Sequence, residues 1–538
     1  MDNIHQVAPQ MPLLEPELCP PKASPPNARP RSAFDELGFR QTVAQLQEEV
    51  RELYTADQVP WIVGYSGGKD STATLQLIWN AVSELAPAER RKTVYVISTD
   101  TLVENPIVAA WVNSSMQAMA RKAQDTETPI VPRLLHPNIS ESFWVNLIGR
   151  GYPAPRPKFR WCTERLKIRP SNRFISDVVT NNGEAILCLG ARKSESIARA
   201  QVLKRNARYR VRDRLSPSAT LAGCMIYTPV EQWTNDDIWF YLNNEANPWG
   251  VNNKELMSMY AGASPDGECP LVLDDSTPSC GDSRFGCWVC TLVEKDKSMT
   301  AMIQNDADKD WMMPLLDLRN ALDFRSNGNP ADENPSDHHL RDFRRLNGAV
   351  QLMSGGKPVP GPYTQAARET WLQKLLDAQT YIRQNGPTAV DQIELITLDE
   401  LQEIRRIWVI DKHELEDSLP HIYKKATGHP YPGPPLADDL VLGESEMIEL
   451  AAICEDDRLH YELTRELLSL TLQQRSSGRR AKLYDNLEKA FRRNFYDDQE
   501  DALSRASKIA SSREAAQGRL ATGATPTRSS DAQGRDLS

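Results

Sequence analysis

Val59-Pro60-Trp61-Ile62-Val63-Gly64-Tyr65-Ser66-Gly67-Gly68-Lys69-Asp70-Ser71 carries an apolar run into a glycine pair, then into Thr72-Ala73-Thr74-Leu75-Gln76-Leu77-Ile78-Trp79. That order reads as strand, turn and helix. Two adjacent glycines let the backbone turn tightly and lie against a ligand with no Cβ between them. Ser66, Ser71 and the first amides of the following helix aim donors at an anion, and Lys69 adds a point charge for phosphate oxygens. The run is not a Walker A loop. That motif needs a glycine five residues before its Gly-Lys pair and a Ser or Thr directly after the lysine; those places hold Val63 and Asp70. A glycine turn that binds nothing is the bland alternative.

Outward from this loop, short β-branched runs alternate with helical stretches. The runs are Ile62-Val63, Val94-Tyr95-Val96-Ile97, Ile130-Val131 and Ile186-Leu187-Cys188-Leu189. Leu75, Ile78, Val82 and Leu85 form one stripe of the helix after the loop, and Val43, Leu46, Val50 and Leu53 form another on an amphipathic helix expected from Phe34 to Tyr54. Alternation of this kind predicts an α/β fold with a doubly wound parallel sheet, whose ligand crevice lies beyond the carboxyl ends of the strands. The glycine loop sits at such an end, and so does Ser98-Thr99-Asp100-Thr101.

The chain of 538 residues is long enough for two to four domains. Its composition predicts a mobile tail over 1–32, an α/β domain over 33–298, a loop-rich connection over 299–365, a mainly helical region over 366–510 and a disordered tail over 511–538. Helices are expected at about 366–384, 398–415, 444–473 and 478–494. The absence of a long apolar run and of a secretory signal predicts a cytoplasmic protein with no membrane partner. In that compartment nine cysteines read as metal ligands, reactive thiols or core residues. Cys188, Cys224 and Cys454 read as core. A net charge of -10 argues against general adhesion to nucleic acid. The local run from Arg156 to Arg214 is strongly basic, which suits either a polyanionic substrate or a solvated cationic face.

Four further segments fall in order after the loop: Asp100-Thr101, Arg160-Trp161-Cys162-Thr163-Glu164-Arg165-Leu166-Lys167, Gly190-Ala191-Arg192-Lys193-Ser194-Glu195-Ser196-Ile197-Ala198-Arg199, and Thr228-Pro229-Val230-Glu231-Gln232-Trp233-Thr234-Asn235-Asp236-Asp237-Ile238-Trp239. With the Ser-Gly-Gly-x-Asp-Ser loop, they resemble the phosphoadenosine-phosphosulfate (PAPS) reductase family of PP-loop ATP pyrophosphatases, over about residues 58–295. The resemblance implies an adenine-nucleotide site. Ser66, Gly67, Gly68, Lys69, Asp70, Ser71, Asp100, Thr101 and Arg192 would hold ATP, and Lys69, Asp70, Arg192 and Arg199 would serve catalysis. Asp70 and Asp100 are hard oxygen donors suited to Mg2+, although each also suits a cap or turn. Arg192 and Arg199, placed one to two helical turns apart, suit developing phosphate charge. The Thr234-Asn235-Asp236-Asp237 start reads as a structural helix cap.

Cys280-Gly281-Asp282-Ser283-Arg284-Phe285-Gly286-Cys287-Trp288-Val289-Cys290 gathers three thiols, suited to iron–sulfur or to structural zinc. The resemblance adds Cys162 as the fourth ligand and favours a [4Fe-4S] cluster, with zinc as the alternative. Two departures from the family stand out. Its iron–sulfur reductases carry a tandem Cys-Cys where this chain has Cys162-Thr163, so the remaining ligand is Cys280 or, farther off, Cys269. The reductases also use a cysteine in a C-terminal tail, and here no cysteine follows Cys454. The reductase reaction is therefore not expected.

In its length, its Trp161-Cys162-Thr163 and Gly286-Cys287-Trp288-Val289-Cys290-Thr291 signatures and its helical C-terminal half, the chain resembles the DndC-type sulfurtransferases of bacterial DNA phosphorothioation. That similarity implies DNA as substrate, a cysteine desulfurase as sulfur donor, and companion subunits including a structural-maintenance-type ATPase. The alternatives are a tRNA base thiolation enzyme and a non-catalytic ATP-binding iron–sulfur subunit of a defence complex.

Overall fold

Trp61–Gly64 (β1), Val94–Thr99 (β2), Ile130–Leu135 (β3), Ala185–Cys188 (β4), Ser216–Pro217 (β5) and Cys224–Tyr227 (β6) form one sheet in the order β3-β2-β1-β4-β6-β5. The computed structural model describes residues 31–211, 214–264, 285–323, 325, 337–353, 356–436, 441–455, 457–474 and 483–521. All strand pairs are parallel except the short β5–β6 edge pair. Successive side chains of a strand point to opposite faces. Trp61 and Val63 therefore pack with Val50, Leu75, Ile78 and Met119 on one side, while Ile62 packs with Ile175 and Val178 on the other. The helices that cover these faces are Phe39–Thr55 (α1), Lys69–Ser83 (α2) and Pro106–Asp125 (α3) on the first, and Arg169–Asn182 (α4) on the second. β1 lies between β2 and β4, so connections leave it in both directions. The crevice opens there, at the strand ends where residues 65–68 turn.

α1 begins at Phe39 rather than Phe34, because Gly38 holds φ +76 and breaks the helical path. Phe34 instead packs edge-on against Phe39 and Trp233, with ring centroids 5.2 and 5.3 Å away. Residues 1–30 of the expected tail lie outside the described residues, and Ser32, its last residue, is anchored. Ser32 donates to Asp237 Oδ1 at 2.5 Å and the Ala33 amide to Asp237 Oδ2 at 3.1 Å.

The section expected to be loop-rich contains Lys297–Asn305 (α8) and Met313–Leu322 (α9). Beyond it lie Gln365–Asn385 (α10), Leu398–Arg406 (α11) running into a π-helical turn Ile407–Asp411, and Ser418–Thr427 (α12). The single helix expected over 444–473 is two, Glu444–Cys454 (α13) and Arg458–Gln474 (α14), broken where Glu455 takes φ +54. Leu483–Arg493 (α15) follows, and Gln499–Ala521 (α16) extends helix into the tail expected to be disordered from 511. No described helix is long and apolar enough to cross a membrane.

The largest apolar cluster among the described residues crosses the boundary expected at 298/299. Phe143, Trp144, Trp161, Trp288, Leu315, Trp371, Ile404 and Trp408 belong to it together. The seam is also hydrogen-bonded. Trp144 Nε1 donates to the Leu395 carbonyl at 2.8 Å and Trp408 Nε1 to the Ile148 carbonyl at 3.0 Å.

Candidate active site

The loop between β1 and α2 is shaped by its own hydroxyls. Ser71 Oγ donates to the Gly68 carbonyl at 3.0 Å, and the Ser66 amide donates to Ser71 Oγ at 3.2 Å. Gly67 takes φ +74, and a Cβ there would lie 2.5 Å from Val112 Cγ2, so a side chain is excluded twice over. Its carbonyl accepts from Trp111 Nε1 at 3.0 Å. Gly68 is the N-cap of α2 and supplies no capping side chain. The positive end of α2 therefore opens onto the cavity, as an anion site requires.

That cavity measures ≈2000 Å³ and is lined by Ser66, Gly68, Lys69, Asp70, Ser71, Asp100, Glu104, Lys167, Arg192 and Arg199, among others. Ligand pockets commonly run to about 300–1,000 Å³, so a nucleotide and part of a second substrate fit together. Arg192 is buried, donates through Nε to Asp70 Oδ1 at 2.7 Å and through Nη1 to Ser194 Oγ at 2.7 Å. Lys69 Nζ stands 3.8 Å from the other Asp70 oxygen and 5.1 Å from the centre of the Tyr260 ring. Tyr260 also accepts from the Lys69 amide at 3.3 Å, and burial holds its phenol protonated well above the usual range. Asp70 thus orients two cations at the helix N-terminus.

Arg199 lies apart from Arg192. Ser196 caps a new helix, Ile197–Ala207 (α5), by accepting from the Arg199 amide at 3.2 Å, and a short 3-10 turn, Lys193–Glu195, separates the two arginines. The helical spacing expected of them is not present. Arg199 stands half-exposed at the rim, paired with Glu195 at 3.3 Å.

Asp100 directly follows β2 and accepts from the Leu102 amide at 2.8 Å, the turn-forming arrangement; its other oxygen faces His136 Nδ1 at 3.9 Å. Thr101 is fully buried and points to the cysteines instead of lining the cavity. Its hydroxyl donates to Glu104 Oε1 at 2.9 Å and lies 3.4 Å from Cys287 Sγ. Glu104 closes the link between the two regions. It lines the cavity, pairs with Lys167 Nζ at 3.4 Å and accepts from Cys287 Sγ at 3.8 Å. The Trp288 amide donates to Val103 at 3.0 Å, clamping the cysteine turn to the loop after β2.

Cys287 and Cys290 are joined by a tight turn, the Cys290 amide donating to the Cys287 carbonyl at 3.0 Å. Cys162 sits directly before a π-helical turn, Thr163–Ile168, of the kind that often marks functional sites. Burial pushes the Cys162 thiol up, and the nearby Cys290 adds to it. Burial and then Glu104 push Cys287 up to about 12. The donors match a thiophilic centre in type. Among the described residues, however, no three His, Cys, Asp or Glu side chains converge as metal ligands. Cys280 and Cys269 lie outside the described residues. Cys188, Cys224 and Cys454 are buried, as their apolar surroundings predict.

The basic run from Arg156 to Arg214 is not one face. Arg192 enters the cavity, Lys193 and Arg210 converge on buried Glu231 at 3.3 and 2.7 Å, and Arg214 reaches Glu49 and Glu52 on α1. Sequence reasoning passed over Glu104 and Tyr260 as site residues. Glu104 stands four residues past Asp100, and a second carboxylate so soon after the strand end is the signal that points to it. Tyr260 lies on Asn253–Gly262 (α7), far along the chain, and nothing local marks it.

Residues 60–292 match the phosphoadenosine phosphosulfate reductase domain. An uncharacterized protein of Methanocaldococcus jannaschii is 24% identical over 200 residues, covering 37% of this chain; the match spans 35% of the relative's own length. Among solved structures, PAPS reductase from Candida auris in its phosphate complex is 14% identical, with 40% of this chain and 91% of that one covered and a TM-score of 0.25. The U34-tRNA thiolase NcsA from Methanococcus maripaludis with its [4Fe-4S] cluster is 12% identical, with 41% and 72% covered and a TM-score of 0.25. The segment that builds the glycine loop, the cavity and the turn of Cys287 and Cys290 is therefore a PAPS reductase-like domain.

Proposed function

We propose that this chain is an ATP-dependent sulfurtransferase acting on nucleic acid, with a DNA backbone phosphate as acceptor. One observation carries the reading: Glu104 lines the ATP cavity and touches Cys287, so a phosphate activated at the loop lies within reach of sulfur chemistry. The acceptor phosphate attacks the α-phosphorus of ATP and pyrophosphate leaves. The terminal sulfur of a persulfide supplied by a cysteine desulfurase then displaces AMP, and an external dithiol reduces the resulting P–S–S–Cys linkage, which releases the phosphorothioate and the carrier thiol and leaves the dithiol as a disulfide. Lys69, Ser66, Ser71 and the α2 amides hold the departing phosphates, while Arg192, fixed by Asp70, faces the charge that develops. Asp100 and Asp70 would hold Mg2+, which would supply positive charge beside the phosphates when bound. Cys162, Cys287 and Cys290, with Cys280, would hold a [4Fe-4S] cluster, which would supply a redox-capable centre when bound.

The purified protein should release pyrophosphate and AMP from ATP, and Lys69→Ala should lower that rate by about 100-fold or more. Cells carrying Lys69→Ala or Ser66→Ala should yield no phosphorothioate dinucleotides on nuclease digestion and mass spectrometry. Persistence of DNA sulfur in both strains would sink the reading. Loss of thiolated nucleosides from tRNA in the same strains would move the acceptor to a tRNA base. An anaerobic preparation of Cys290→Ser should lose iron and acid-labile sulfide.

A further inference from the structure

The helix that follows Cys162 has a second face which the ATP cavity does not use. From the π-helical turn Thr163–Ile168 the chain runs unbroken into α4. Lys167, Ser171 and Ile175 recur at every fourth position and line the ATP cavity. Arg165, Arg169 and Arg173 recur at the same spacing two residues earlier, which turns them about 200° around an ideal helix. With Arg150, Asn138 and Glu141 they line a separate recess of ≈430 Å³ whose walls are all polar or charged.

Four guanidinium groups here share one lining carboxylate. Arg150 donates to the Ser140 carbonyl at 2.5 Å and Arg173 to Asn138 Oδ1 at 2.9 Å. Arg165 donates to Asn146 and, at 3.2 Å, to the Tyr152 hydroxyl, with its guanidinium 4.8 Å from the centre of that ring. Arg169 pairs with Glu141 and, at 3.4 Å, with Glu164. A guanidinium has five donors in a rigid fork that matches phosphate. These contacts hold each fork in place and leave donors for a ligand. The chain that leaves β3 runs from beside the ATP site to the recess. His136 stands 3.9 Å from Asp100 at the cavity rim, two residues before Asn138.

We propose that this recess binds backbone phosphates of the nucleic acid whose reacting group enters the ATP cavity. The inference rests on the nucleic-acid reading above and adds the place where the strand is held. Phosphate contacts of this kind position a strand without reading its sequence. Glu141 occupies Arg169 and is displaced when phosphate arrives.

The test uses the full chain and fluorescence anisotropy with labelled single-stranded DNA, duplex DNA and tRNA over a range of salt. Arg169→Gln with Arg173→Gln should weaken binding of the preferred probe by about tenfold at low salt. The slope of log affinity against log salt should flatten by about 1 to 2. Glu141→Gln should tighten binding by about twofold or more, since a competing carboxylate is gone. Thermal unfolding midpoints confirm that each variant is folded. The proposal is overturned if the double arginine variant keeps the parent affinity and slope. It is equally overturned if Glu141→Gln weakens binding as the arginine changes do, which would make the cluster a structural brace. Should the cell yield no nucleic-acid sulfur while the double variant still loses affinity, the recess stands and the proposed reaction falls.

Discussion

Gly190 brings the end of β4 against the first turn of α2, so closely that a Cβ would lie 2.7 Å from the Asp70 carbonyl oxygen and 3.0 Å from Thr74 Oγ1. Neither neighbour is the far end of a flexible side chain. Gly190→Ala must therefore push α2 and the Arg192 strand end apart, destabilising the protein by ~1–3 kcal/mol. Separation of Asp70 from Arg192 should also weaken ATP binding. Chemical unfolding and calorimetric titration with ATP check the two effects, and an unchanged ATP affinity would contradict the positioning role given to Asp70. At this scale much was legible in the sequence. Gly67, Gly68, Lys69 and Ser71 announce a tight turn between strand and helix by type and spacing alone, and the structure has that turn. The Asp70–Arg192 pair and the Thr101–Cys287 contact were not legible, because each joins strand ends that only the sheet brings together.

His413 shows how elements couple in the helical half. It follows the π-helical turn after α11, with φ +61, and its Nδ1 lies 2.9 Å from Ser469 Oγ on α14. Its Nε2 faces Glu466 at 3.8 Å, and Arg493 on α15 pairs with that same Glu466. Burial, with Arg493 and Arg465 adding and Asp411 and Glu414 opposing, holds the imidazole down to about 4, from an ordinary 6.5. The ring is thus neutral in the fold. Between pH 6.5 and about 4 the unfolded chain takes up a proton that the native chain does not, so this contribution to stability is present at neutral pH and lost on acidification. The loss is at most ~3 kcal/mol. Denaturant unfolding between pH 7 and 4.5 should show a shallower acid loss for His413→Gln than for the parent. Parallel curves would show that the ring does not titrate as described. The helix positions themselves were readable from periodicity for α10 and α11. α8 and α9 were not, since Met299, Met302, Met312 and Met313 give little contrast between buried and exposed positions.

For the molecule as a whole, the shared core ties the cysteine turn to the helical half. Trp408 is buried at the seam, packs with Trp144 and Trp288 in one cluster, and donates across it to Ile148. Trp408→Ala should cost ~3–5 kcal/mol. A truncation after residue 298 would uncover Trp144 and Trp288 and should fail to give a stably folded domain, read by circular dichroism and hydrogen exchange. A soluble, cooperatively unfolding 33–298 fragment would show the boundary to be real. The sequence by itself determined the parallel sheet, the glycine turn at its crevice and the family resemblance. These depend on local periodicity and on residue types at fixed spacing, which a short window contains. Only the tertiary structure decided that Glu104 joins the cavity at the glycine loop to Cys287, that the basic run divides between separate partners, and that the helical half completes the core beneath the cysteines. Each of these is a contact between segments remote in the chain, fixed by how the sheet and helices pack and by no pattern within any one of them.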